Sequence, residues 1–97
     1  MSSPADLERI AHRLARAYAI MAFSEGDARL GGVRLLLGQI RNSDMPTPVA
    51  RAQWAQIEET MLQLGTGAVS SDKVRDLGEE VHRLREAIVL YLSRIPY

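Results

Sequence analysis

Apolar residues recur along this chain in steps of three and four, and no run alternates apolar with polar. That spacing predicts helices and no sheet. Four segments carry the pattern, each opened by residues suited to a helix start. Ser3-Pro4 and Thr47-Pro48 each place a capping hydroxyl before a proline at the first helical position. Ser24 is followed by the acids Glu25 and Asp27, and Ser70-Ser71-Asp72 forms the fourth start. Gly26, the stretch Asn42 to Pro46, and Gly65-Thr66-Gly67 separate the segments. The expected helices span about 4–23, 27–41, 48–64 and 72–95.

The first helix sets Leu7, Ile10, Leu14, Tyr18 and Met21 on one stripe, with Arg9, Arg13 and Arg16 opposite. Ile20 and Phe23 point to that opposite side as well, so its last turn is apolar nearly all round. The second helix carries Leu30, Val33, Leu37 and Ile40 on its main stripe. Gly31, Leu35 and Gly38 form a second face, and burial on two sides is expected there because glycines admit a close neighbour. The third helix turns Ala50, Trp54, Ile57, Met61 and Leu64 inward and Arg51, Glu58 and Glu59 outward. The fourth follows a heptad, with Val74, Leu77, Val81, Leu84, Ile88, Tyr91 and Ile95 on one seam. Arg75/Glu79, Glu79/Arg83 and His82/Glu86 are spaced as i,i+4 pairs on its outer surface. Short connections favour antiparallel neighbours, so the expected fold is all-α: a small up-and-down four-helix bundle with a long C-terminal heptad helix, in a single domain over 1–97.

Composition narrows the possible functions. Hydrophobic residues make up 46% of the 97 and charged residues 25%, which is ordinary for a globular chain. The formal net charge is +0, so nucleic acid or an anionic membrane would be attracted only by a local patch. With no cysteine there is no disulfide and no thiolate chemistry, as suits a reducing cytoplasm. Met1 to Pro4 lacks the basic-then-apolar pattern of a secretory signal. The longest apolar runs, Ala17 to Phe23 and Ala87 to Leu92, fall far short of the roughly 20 residues that span a bilayer. A cytoplasmic protein with no membrane contact is expected.

Motifs for catalysis are weak. Glu79-x-x-His82 has the spacing used in helical di-iron sites, but it occurs once and lies off the heptad seam. Glu8 and His12 form an ordinary helical pair. The serines gather at helix starts and loops, no Gly-x-Ser-x-Gly elbow is present, and Gly31-Gly32 is not followed by a phosphate-binding lysine. The acid pairs Glu58-Glu59 and Glu79-Glu80 sit on outer faces. No enzyme, cofactor or metal site is expected.

The heptad helix would extend about 35 Å, longer than its neighbours, and its last turns are apolar on every side. A surface of that kind favours association. The expected function is a non-enzymatic protein–protein interaction module, a homodimeric regulator or adaptor. Its contact residues would be Leu84, Ile88, Val89, Leu90, Tyr91, Leu92 and Ile95, with Ile20 and Phe23 as a second apolar surface. The alternative is a small nucleic-acid-binding regulator that uses Arg29, Arg34, Arg41 and Arg51, which lie in a stretch containing a single acid, Asp44, with the stripe Arg9, Arg13 and Arg16 of the first helix adding further phosphate contacts.

Overall fold

A computed structural model describes residues 3–23, 28–64 and 71–94, with the backbone alone at 28–30 and 71. It is all-helical over these residues: α1 (Pro4–Phe23), α2 (Ala28–Leu37), a single 3-10 turn (Asn42–Asp44), α3 (Pro48–Leu64) and α4 (Ser71–Ser93).

Two helix starts form as the cap-then-proline signature predicts. The Asp6 amide donates to Ser3 Oγ at 3.2 Å, and the Ser3 amide donates back to Asp6 Oδ2 at 3.3 Å. Two otherwise unpaired amides are satisfied by this reciprocal box. The Ala50 amide donates to Thr47 Oγ1 at 3.1 Å, and Pro48 fills the first position of α3, where a missing N–H costs nothing.

The centre of the molecule is the antiparallel pair α1 and α4. Met21 and Tyr18 of α1 lie over the buried Gly78, and the Tyr18 ring packs on His82 one turn further along α4, with ring centroids 4.8 Å apart. The helix α2 packs on α1, and α3 packs on α4. The core fills from all four: Leu14, Val33, Ile57, Leu77, Val81, Leu84 and Ile88 are fully buried. Among the described residues no polar or charged side chain is buried as a whole. The heptad seam of α4 from Val74 to Ile88 therefore meets this chain's own helices.

The second helix departs from expectation. It ends at Leu37, not Arg41. The Gly38 amide still donates to Arg34 O at 2.8 Å, but the backbone tightens there: a Cβ on Gly38 would lie 2.8 Å from the same carbonyl. Ile40 is buried from the following turn, and Met45 plugs into the core between the 3-10 turn and α3. Burial of Ile40 continues the apolar rhythm past the end of the helix. The expected second buried face of α2 is also absent. Leu35 is 73% exposed, and nothing lies within 4 Å of a Cβ placed on Gly31. The physical reason is the packing order: α3 sits against α4, so α2 has α1 alone as its extended neighbour. A groove of about 240 Å³, floored by Trp54 and lined by Arg34, Leu37, Gly38, Glu58 and Met61, separates α2 from α3.

These two glycines should respond oppositely to alanine. Gly31→Ala, in open space within a helix, is expected to raise stability by about 1 kcal/mol. Gly38→Ala must displace backbone and is expected to lower it. Urea melts of the two variants and the parent check this; shifts of the same sign would refute it.

Candidate interaction surfaces

The residues expected at an interface separate into three groups. Leu84 and Ile88 are fully buried and Leu92 is 9% exposed, so these three are core residues within the single chain. Tyr91 and Ile20 are half-buried against that core. Ile20 does not stand free on the far side of α1 as its position on the helix suggested; its Cδ1 reaches over Gly32 of α2. Val89, Leu90 and Phe23 remain exposed, at 43%, 52% and 84%. Ile95 lies outside the described residues.

Val89 and Leu90 thus form the apolar surface of the last turns of α4. Val89 and Leu90 lie three and four residues after Glu86, and four and three before Ser93, so these residues share an outward stripe. With Arg85 and Ala87 they line an open hollow of about 450 Å³. His82 Nε2 lies 3.1 Å from Glu86 Oε1. Ser93 Oγ donates to Leu90 O at 2.7 Å, which closes one carbonyl at the helix end.

A second surface is built on the basic stripe of α1. Arg9, His12, Arg13 and Arg16 of α1 face Leu36 of α2 and Gln39 of the turn after it across a groove of about 660 Å³, which Ala5 and Glu8 complete. Arg13 Nη1 donates to Gln39 Oε1 across it, and Arg9 pairs with Asp6 at the edge. The arginine stripe was legible in the sequence. The groove was not, because the register of α2 against α1 creates it.

The arginines of the alternative reading are dispersed. Arg34 lines the α2–α3 groove, while Arg41 is exposed before the 3-10 turn. Arg51 is exposed on α3, its carbonyl accepting from Asn42 Nδ2 at 3.0 Å. The side chain of Arg29 lies outside the described residues.

Candidate chemistry is equally scattered. Glu58 and Glu79 are exposed on different helices. His82 is half-buried, not the plain surface residue expected, because it lies at the edge of the heptad seam against Tyr18. Its Nδ1, the Trp54 indole Nε1 and Gln53 Oε1 are buried without a hydrogen-bond partner among the described residues. No group of three or more potential ligands that could hold a metal ion occurs among them, and none of the described helices is long and apolar enough to cross a membrane. Arg75 pairs at 3.2 Å with Asp72, one turn before it, where the spacing suggested Glu79, one turn after it.

Among the described residues two carboxyl groups depart from ordinary values. Hydrogen bonding from the Ser3 side chain, then from the Ser3 amide and Arg9, holds Asp6 below its usual range. Burial pushes Glu80 up, opposed by the Thr60 hydroxyl 3.3 Å away and by Arg83, and aided by Asp76.

Comparison with family models, with characterised proteins and with solved structures finds no match to this chain.

The Glu80 shift has a definite sign. Its folded value lies above the unfolded one, so folding disfavours the ionised form. That cost is absent below the ordinary carboxylate value and fully present above the raised one. Glu80→Gln keeps an acceptor for Thr60 and removes the charge. It is expected to be more stable than the parent at neutral pH, with the gap closing as pH falls through the carboxylate range. Urea melts at neutral and acidic pH check this; the Asp6 contribution is common to both proteins and cancels. A gap that widens on acidification would refute the assignment.

Proposed function

We propose that this protein is a non-enzymatic helical interaction module that works as a homodimeric regulator or adaptor. Its four helices would form an up-and-down bundle whose C-terminal helix supplies the contact. One observation carries the reading: the pair Val89 and Leu90, exposed on the same face of α4 and flanked by charges of opposite sign. Glu86 lies four residues before Leu90 and Arg94 four residues after it. Two α4 helices packed antiparallel about Leu90 would set Glu86 of each copy opposite Arg94 of the other. A two-fold interface must be self-complementary, and this stripe is so in both shape class and charge. Leu84, Ile88 and Leu92 would support it from inside, by fixing the rotation of α4 that turns Val89 and Leu90 outward.

Sedimentation equilibrium tests the reading. The parent is expected to dimerise in the micromolar range. Val89→Asp and Leu90→Asp should each weaken the dimer about tenfold or more, or roughly 1.4 kcal/mol, with helix content by circular dichroism unchanged. Glu86→Arg and Arg94→Glu should each weaken it, and the double exchange should restore it. A strict monomer at high micromolar concentration would overturn the proposal, and so would dimerisation indifferent to all four substitutions.

A further inference from the structure

We infer that the groove between α1 and α2 is a docking site for an acidic amphipathic helix of a partner protein. This goes beyond self-association and uses none of the residues of the α4 stripe.

Charge identifies the occupant. The chain as a whole is neutral, yet three of its arginines, Arg9, Arg13 and Arg16, line this one groove. Glu8 is the single acid among the lining residues, and Asp6 engages Arg9 from the edge. The helix α2 offers no acid along its length. The bond from Arg13 to Gln39 orients the guanidinium without neutralising it and uses one of five donors. A local positive field on a neutral protein selects an anionic partner at short range.

Shape and chemistry favour a helix over a nucleic-acid backbone. Arg9, Arg13 and Arg16 stand at i, i+4 and i+7, a rise of about 10 Å along one helix face. Acids at the same spacing on a partner helix would meet all three. The groove runs between two antiparallel helices, and its floor carries Leu36, Ala5 and the aliphatic stems of the arginines. Those apolar surfaces suit one leucine stripe of a third helix. No aromatic side chain lines the groove, so the bases of a single strand would find nothing to stack on.

Fluorescence anisotropy tests the inference with three labelled probes. One is a helical peptide of about 20 residues, long enough to be helical, bearing Glu at i, i+4 and i+7 beside a leucine stripe. The second replaces each Glu by Gln, and the third is a short DNA duplex. The acidic peptide is expected to bind, the Gln peptide about tenfold more weakly, and the duplex more weakly than the acidic peptide. Arg13→Glu and Arg16→Glu should each reduce acidic-peptide binding about tenfold, whereas Arg51→Glu on α3 should leave it unchanged. Val89→Asp protein should bind as the parent does, which separates this groove from the α4 stripe. No binding of the acidic peptide would overturn the inference. So would equal binding of the Gln peptide, tighter binding of the duplex, or an equal loss with Arg51→Glu.

Discussion

The antiparallel seam between α1 and α4 sets the rest of the structure. At its centre Gly78 is buried beneath Tyr18 and Met21, where a Cβ would make ordinary contact and only a side chain longer than alanine's would press the two helices apart. The close approach fixes the register, and the register brings Leu14 and Ala17 of α1 into one core with Leu77, Val81 and Leu84 of α4. The flanking helices then add to a pair that is already placed, α2 on one member and α3 on the other. Their separation leaves α2 with an open outer face, and the groove between α2 and α3 follows from the same order.

Much of this architecture was legible locally. Ser3-Pro4 and Thr47-Pro48 determine α1 and α3 to the residue because a cap is a short-range event: a hydroxyl, the amide three residues on, and a proline that needs no donor. The stripe of α4 was legible because a heptad over six turns has few other solutions. What could not be read was which neighbour covers each face. The second face of α2 was read as buried and the last turns of α4 as open, and each reading failed in part. Their fates differ by position alone. Leu92 falls within reach of the core, while Leu35 lies on the side of α2 that no helix occupies. The end of α2 was misplaced for a related reason. Ile40 is buried from a turn, and burial of one side chain does not distinguish a helix from the turn after it.

The two surfaces were legible to different degrees. Val89 and Leu90 were named from sequence, yet in company with Leu84, Ile88 and Leu92, which the fold consumes. Periodicity alone favoured the narrower set, since Leu84 and Ile88 lie on the heptad seam and Val89 and Leu90 do not. The groove of Arg9, Arg13 and Arg16 needed a second element to exist, and Gln39 lies beyond the helix that the sequence pattern extended through it.

The sorting of residues on α1 and α4 makes surface and fold separable. On α1 the core residues Leu7, Ile10, Leu14 and Met21 face one way and the arginines the other, so a charge can change without opening a cavity. The same holds for Val89 and Leu90 against Leu84 and Ile88. The exceptions lie at the seam edges. His82 stacks on Tyr18 with Nδ1 unpartnered, and Glu80 sits where burial disfavours its charge. At these edges polar groups are partly withdrawn from water without full compensation, and each is a place where stability has been conceded to the close packing of helices. The apolar and basic surfaces carry no such cost in the isolated chain. Their side chains keep their hydration until a partner removes it, so the free energy of that desolvation enters only on association, where it can set specificity.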